Sequence, residues 1–202
     1  MNRTFRTLLV IAAAAGALGA CGADPVGGNP TAAPGTGDSA APTTTKSGSP
    51  SGAPDLDIAE YVANPCSVLT QAQQSELGTF REAKVEQDGV NGPSCTYQGK
   101  DVLANSTFKI VMVTKGNTVE TFAREGKANF PVSRENTVLG YPTASFATPD
   151  GKRDCNTAIG TSGKDAILIQ GSIAKNDTKL NDGNACGTTE RVAATIIGNL
   201  KG

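Results

Sequence analysis

The sequence contains no histidine and no tryptophan, and aromatic residues make up only 4% of its 202 residues. Without histidine, neither a Ser-His-Asp triad nor a Cys-His pair can form in the chain, which excludes the commonest hydrolase designs. The charges nearly balance, with 18 Lys and Arg residues against 19 Asp and Glu residues. Because nucleic-acid-binding proteins carry a basic surface, this balance predicts that nucleic acid is not a partner.

Long apolar runs are also scarce, and the longest lies near the N-terminus. Leu8 to Leu18 are eleven uncharged, mostly apolar residues that follow Arg3 and Arg6 and precede two small residues. A helix of that length would rise about 16 Å, roughly half the thickness of the hydrocarbon core of a bilayer. The layout is typical of a secretory signal peptide, which we predict over residues 1–20.

One of the five cysteines stands apart from the others, directly after this run. Leu18-Gly19-Ala20-Cys21 resembles the lipobox of bacterial lipoproteins, in which the cysteine sulfur receives a diacylglyceryl group and the signal peptidase cuts just before it. The resemblance implies that Cys21 is lipidated, that the membrane is a partner, and that the protein lies on the outer face of the plasma membrane. The alternative is an ordinary secretory signal that leaves Cys21 as a free thiol.

The next segment is poor in large apolar side chains. Its 34 residues, 22–55, include six prolines and seven glycines, with Val26 as the one large apolar residue. Such a segment cannot bury enough apolar surface to offset its ordering entropy, so residues 21–55 are predicted to be the lipidated cysteine and a disordered tether. Apolar periodicity begins near Leu56, and residues 56–202 are predicted to form a single extracytoplasmic domain.

Three helices are predicted within that domain. Thr70-Gln71-Ala72-Gln73 has the pattern of a capping box that opens a short helix, which Gly78 would end. Asn117-Thr118-Val119-Glu120 has a similar pattern before a second helix. A third helix is predicted after Cys186, because apolar residues recur there every four positions.

Between these helices the apolar period changes to two, which predicts strands. Thr107–Thr114 and Ala166–Ala174 are runs rich in β-forming residues, and Asp150-Gly151 lies between two further runs as a hairpin turn. The order is helix, three strands, helix, three strands, helix. We therefore predict the α+β class, with an antiparallel sheet, helices packed on one face of it and two disulfides.

The other four cysteines, Cys66, Cys95, Cys155 and Cys186, are predicted to form the two disulfides, because a signal peptide leads to an oxidising compartment. No metal site is expected, since histidine and a C-x-x-C pair are absent. Four cysteines allow three connectivities, and sequential pairing is the one we favour. Each bridge would then close a loop of about thirty residues, worth about 3.5 kcal/mol in the chain-entropy account.

The cysteines also carry a family resemblance. Asn64-Pro65-Cys66-Ser67-Val68-Leu69-Thr70, Cys95-Thr96-Tyr97, Arg153-Asp154-Cys155 and Cys186 together resemble a family of actinobacterial surface lipoproteins that is known only as a domain of unknown function. The aromatic residue after the second cysteine is more often Trp in that family. The resemblance covers about residues 62–200 and implies an anchored envelope domain with two sequential disulfides and no assigned chemistry.

Several short motifs resemble catalytic or binding signatures, but their contexts argue against that use. Ser106–Lys109 and Ser172–Lys175 fit S-x-x-K, yet they lie in or beside predicted strands, where residues three apart point to opposite faces. Gly160–Lys164 lacks part of the phosphate-loop pattern and is predicted to be a hairpin turn. Asn181–Asn184 fails the spacing of a calcium loop and is predicted to be a polar turn. No catalytic residue and no cofactor is predicted.

The function we predict is that of a non-enzymatic binding or sensing module of the cell envelope, which recognises a lipid, a small molecule or an envelope protein. One alternative is a carrier of a hydrophobic ligand, which would need an apolar cavity between sheet and helices. Another is an envelope hydrolase that uses Ser and Lys or carboxylates such as Glu76, Glu82, Glu86 and Asp88. A structural wall protein without a ligand is a further alternative.

Overall fold

The computed structural model describes residues 52–202. The predicted signal peptide, Cys21 and most of the predicted tether lie outside the described residues. The helices are α1 Ala59–Ala63, a 3₁₀ turn Pro65–Val68, α2 Gln71–Leu77, α3 Val119–Asn129 and α4 Ala185–Lys201. The strands are β1 Lys84–Glu86, β2 Ser94–Tyr97, β3 Thr107–Val113, β4 Val132–Val138, β5 Tyr141–Ala147, β6 Asp154–Gly160 and β7 Ala166–Ser172.

The seven strands form one sheet in the order β1-β2-β3-β7-β6-β5-β4, and every neighbouring pair is antiparallel. The pairing of β3 with β7 joins the three strands that precede α3 to the four that follow it. At the middle of that pairing Ile110 lies opposite Ile169, and both side chains are fully buried. The α+β class, the antiparallel sheet and the two disulfides are therefore confirmed.

The helices cover both faces of the sheet, which differs from the expected packing on one face. The C-terminal helix α4 packs on β6 and β7, whereas α3 packs on β5, β4 and β6 from the opposite side. Strand β3 shows why, because its side chains are buried in both directions. The face toward α4 carries Phe108, Ile110 and Met112, and the other face carries Val111 and Val113. A sheet with two apolar faces needs a helix on each.

Strand β4 was not predicted, because five of its seven residues are exposed and its sequence, VSRENTV, lacks apolar alternation. It lies at one edge of the sheet and pairs with β5 through a tight hairpin. The hairpin loop is Leu139-Gly140, and both residues have positive φ, 49° and 92°. Hairpins of this length favour positive φ because their twist then matches that of the strands, although leucine is an unusual choice for the first position.

The helix-end signals were confirmed at α2. The Thr70 hydroxyl accepts a hydrogen bond from Gln73 N, and the Gln73 side chain accepts one from Thr70 N, as in a capping box. Gly78 ends the helix with φ 154° and ψ −167°, a backbone region that is essentially reserved for glycine. Thr118 is the N-cap of α3, but its side chain makes no capping hydrogen bond.

The two disulfides are Cys66–Cys95 and Cys155–Cys186, so the sequential pairing is confirmed. The first joins the 3₁₀ turn to β2, and the second joins β6 to the first turn of α4, which begins one residue before Cys186. Their Cα–Cα distances are 5.0 and 5.1 Å. Both bridges therefore join a peripheral helical element to a strand of the central sheet.

Tyr97 is buried beside the first disulfide, and its burial affects its pKa. Its hydroxyl donates to Cys66 O at 2.9 Å, and its side chain is fully buried. Burial raises the pKa of Tyr97 to about 12, against a smaller lowering by a backbone hydrogen bond at Leu69. The neutral phenol is thus favoured in the folded state more than in the unfolded chain, where tyrosine ionises near pH 10.

We expect the free energy of unfolding to fall by about 2–3 kcal/mol as the pH rises from about 10 to about 12, because the unfolded chain then loses its Tyr97 proton first. Between pH 8 and about pH 11, urea unfolding should show about half of this fall, roughly 1.4 kcal/mol, in the parent chain beyond any fall in Tyr97→Phe. The variant keeps Tyr61 and Tyr141, so they contribute equally to both curves. Equal slopes in parent and variant would contradict the prediction.

Candidate functional site

The S-x-x-K residues Ser106 and Lys109 point to different partners. The Ser106 hydroxyl donates to Asp177 Oδ2 at 2.6 Å and accepts from Ala174 N at 3.1 Å, inside the protein. The Lys109 ammonium forms an ion pair with Glu86 Oε2 at 2.6 Å on the surface. The structure therefore separates the two side chains that this motif would have to bring together.

The segments that partly match a phosphate loop and a calcium loop form turns, as their sequences predict. Gly160–Lys164 closes the hairpin between β6 and β7, where Ser162 Oγ accepts hydrogen bonds from the backbone amides of Lys164 and Asp165. In the segment before α4, Asp182 accepts from Asn184 N and pairs with Arg191, which together hold the pKa of its carboxyl below the usual range. These polar groups stabilise loop conformations.

The acidic residues considered for an envelope hydrolase do not share one environment. Glu86 pairs with Lys109, whose hydrogen bond and charge hold the pKa of that carboxyl below its usual range, whereas a general acid needs a raised pKa. Glu82 lies in a different surface concavity, described below. Within residues 52–202, no three His, Cys, Asp or Glu side chains are placed to hold a metal ion.

The entry groove is a concavity of about 490 Å³ that is open to the surface. One wall is formed by residues 55–59, where the chain enters the domain, and the other by Thr114 and the β6–β7 turn at residues 162–165. Leu56 N donates to Thr161 O at 2.8 Å, and Leu56 and Ile58 are almost fully buried. The segment that joins the domain to the preceding chain is therefore part of this groove.

The charges around the entry groove are mainly negative. Three carboxylates, Asp55, Asp57 and Asp165, face one ammonium group, that of Lys164. Asp57 Oδ1 also accepts from Ala59 N at 2.8 Å, which fixes the start of α1. Apolar side chains between acidic groups suit an extended ligand with both apolar and basic parts.

The polar groove is a second open concavity, of about 470 Å³, between α2 and the segment that follows it. The segment is held by backbone hydrogen bonds from Arg81 N to Gln98 O at 2.8 Å and from Lys100 N to Thr79 O at 2.9 Å. Six polar residues line the groove: Gln71, Gln74, Ser75, Thr79, Arg81 and Glu82. The half-buried Phe80 adds an aromatic ring.

Neither groove was identified from the sequence. The entry groove brings Leu56 together with Thr114 and Lys164, which are more than fifty residues away, so no local motif marks it. The polar groove is local, and its capping box and Gly78 were recognised. Its glutamines and hydroxyl residues, however, are typical of any exposed short helix. In the sequence, Glu82 stands out only as one of four neighbouring acidic residues that a hydrolase could use.

Comparison with known proteins gives one match. A family described as proteins of unknown function, DUF3558, matches residues 16–199, nearly the whole chain. No curated protein and no solved structure matches the chain. Of the helices in residues 52–202, none is both long and apolar enough to cross a membrane.

Proposed function

We propose that this chain, which belongs to the DUF3558 family of proteins of unknown function, is a lipid-anchored binding or sensing module on the outer face of an actinobacterial plasma membrane. The observation that carries the binding role is the entry groove. Its wall at residues 55–59 is the chain that leads back toward Cys21. A ligand in this groove therefore contacts both the domain and the segment that connects it to the proposed anchor.

The anchor is supported by the chain's N-terminal pattern and by its cysteine chemistry. Leu18-Gly19-Ala20-Cys21 has the residue types that lipidation needs, a thiol nucleophile after small residues. Two acyl chains give stable attachment, whereas one gives only marginal attachment. The two disulfides fit an oxidising compartment outside the cytoplasm.

A surface-binding role is better supported than an enclosed carrier for a hydrophobic ligand. The space between the sheet and α4 is filled by side chains of very low exposure, among them Ile169, Val192 and Ile196. The entry groove is an open concavity lined by both apolar and charged residues, and the polar groove is an open concavity lined mostly by polar residues. Such grooves suit a ligand that keeps part of its surface in water, such as a segment of an envelope protein or a polar small molecule.

Mass spectrometry of the full-length protein purified from host membranes tests the proposal. Denatured without reduction, the chain is expected to lack residues 1–20, to carry a lipid mass on Cys21 and to weigh about 4 Da less than its reduced form, because each disulfide removes two hydrogens. The native spectrum is expected to retain an extra mass that unfolding releases. Cys21→Ala is the control that should lose the lipid mass.

The two halves of the proposal fail separately. An unmodified Cys21 in protein that remains in the membrane fraction would contradict the lipid anchor. A native spectrum without any extra mass would contradict binding of a small ligand. An envelope protein would then remain as the proposed ligand, and crosslinking at the entry groove on intact cells would test it.

A further inference from the structure

We propose that the polar groove binds a neutral glycan. This groove lies between α2 and residues 78–83 and shares no lining residue with the entry groove, and the proposal does not depend on lipidation of Cys21. Its volume of about 470 Å³ is within the range of pockets that hold small ligands, and its open form suits a segment of a longer polymer.

The first argument is the hydrogen-bonding capacity that the fold leaves in the groove. Within the described part of the chain, the side chains of Gln71, Thr79 and Glu82 make no hydrogen bond to another residue. Gln74 donates through Nε2 to Leu69 O at 2.9 Å, which leaves its amide oxygen as an acceptor. Amides and hydroxyls both donate and accept, which matches the hydroxyl groups of a sugar.

The second argument is the aromatic ring beside these groups. Phe80 is fixed from behind by Tyr97 and Phe108, whose ring centroids lie 5.9 and 6.4 Å from its own. Gly78 lies in front of it, where a Cβ atom would come within 3.8 Å of Phe80 Cζ. Because Gly78 has no side chain, nothing at that position covers Cζ, and the part of the ring that reaches the groove offers an apolar surface to the C–H groups of a sugar ring.

The third argument is charge, which distinguishes a glycan from other ligands. Arg81 and Glu82 are the charged residues of the groove, and their charges cancel. A phosphate group would meet the Glu82 carboxylate, and a strongly basic peptide would meet the Arg81 guanidinium. An acyl chain would remove the amides and hydroxyls from water without giving them partners, which is costly. A neutral, polyhydroxylated ligand avoids all three penalties.

Backbone hydrogen bonds also tie both walls of the groove to the fold. Its helical wall ends at Gly78, whose amide donates to Gln74 O at 3.0 Å, and its other wall is tied to residues 98–100 by backbone hydrogen bonds. Phe80 additionally pairs with Gly99 as an isolated β-bridge. Preorganised walls lower the ordering cost of binding, which matters for a weak polymer ligand that binds through repeated units.

Saturation-transfer NMR on the full-length protein tests this proposal, in micelles of a zwitterionic detergent that has no sugar headgroup. The probes are chitotetraose, mannotetraose and an arabinan oligosaccharide, with inorganic phosphate and tetralysine as charged competitors. At least one oligosaccharide is expected to bind with a Kd of about 1 mM or below, with the strongest saturation on its ring C–H protons. Neither competitor is expected to displace it.

Matched substitutions locate the binding. Gln71→Ala and Glu82→Ala, both at exposed positions, are expected to weaken oligosaccharide binding about five- to tenfold each, the usual effect of losing one or two hydrogen bonds. Gln170→Ala removes an exposed glutamine from β7 and should leave the Kd unchanged. Equal thermal midpoints for the three variants would show that each remains folded.

Three results would overturn the proposal. The first is the absence of binding by all three oligosaccharides up to about 10 mM. The second is unchanged binding in both groove variants, which would place the sugar elsewhere. The third is tighter binding of phosphate or tetralysine at the groove, which would assign it to a charged ligand.

Discussion

Replacing Cys155 and Cys186 together with alanine is expected to lower the free energy of unfolding by at least about 3.5 kcal/mol. The two residues are 31 positions apart, so the bridge restricts a loop of that length in the unfolded chain, and its removal restores that entropy. Both cysteines are also almost fully buried between β6 and α4. Urea unfolding of the full-length chain at neutral pH measures the loss as a lower midpoint.

The other bridge supplies a matched control. Cys66 and Cys95 are 29 positions apart, so the loop entropy predicts nearly the same loss for the pair Cys66→Ala and Cys95→Ala. Cys66 is only half-buried, however, and the 3₁₀ turn that carries it covers less of the sheet than α4 does. If removing the α4 bridge lowers the free energy of unfolding more than removing the other bridge does, the difference is the contribution of side-chain packing between α4 and the sheet. A loss below about 1 kcal/mol for either pair would contradict the chain-entropy account.

The fold could be predicted from the sequence wherever the signal was local. The capping box at Thr70, the strands β3 and β7 and the Asp150-Gly151 turn each depend on a few neighbouring residues, and all were confirmed. Strand β4 has no such signal. It is extended because β5 supplies its hydrogen-bond partners, and its exposed position allows a polar sequence.

The placement of the helices could not be predicted for a different reason. Alternation along β3 shows that Ile110 and Val111 face opposite ways, but not which helix covers which residue. That choice depends on the position of each strand in the sheet. Helix α3 precedes β4 and packs near that edge, whereas the bridge from Cys155 holds α4 on the other face.

The candidate grooves were beyond prediction because neither is built from a recognisable motif. Leu56 looks like an ordinary core residue, and its amide bond to Thr161 O, which builds one wall of the entry groove, depends on tertiary structure. In the polar groove, Gly78 lies next to the Phe80 ring, where a Cβ atom would touch Cζ. In the sequence, that glycine signals only the end of a helix.

Asp177→Ala is expected to lower the free energy of unfolding by about 3 kcal/mol, because it leaves several buried donors without an acceptor. The carboxylate is only 6% exposed and accepts four hydrogen bonds. Oδ2 accepts from Ser106 N at 3.1 Å and from Ser106 Oγ at 2.6 Å. Oδ1 accepts from Lys179 N at 3.2 Å and from Leu180 N at 3.1 Å. The side chain thus connects the start of β3 to the loop before α4.

Urea unfolding of Asp177→Ala and of Asp101→Ala separates this role from that of an ordinary turn residue. Asp101 Oδ1 accepts from Leu103 N at 2.8 Å on the exposed surface, so its loss should cost less than about 1 kcal/mol. Ser106→Ala removes the partner hydroxyl. The double variant with Asp177→Ala should lose less free energy of unfolding than the sum of the two single variants, because each single change already removes the same hydrogen bond. Strictly additive losses would contradict the hydrogen bond between Ser106 and Asp177. Equal losses at Asp101 and Asp177 would contradict the larger stabilising role of the buried carboxylate.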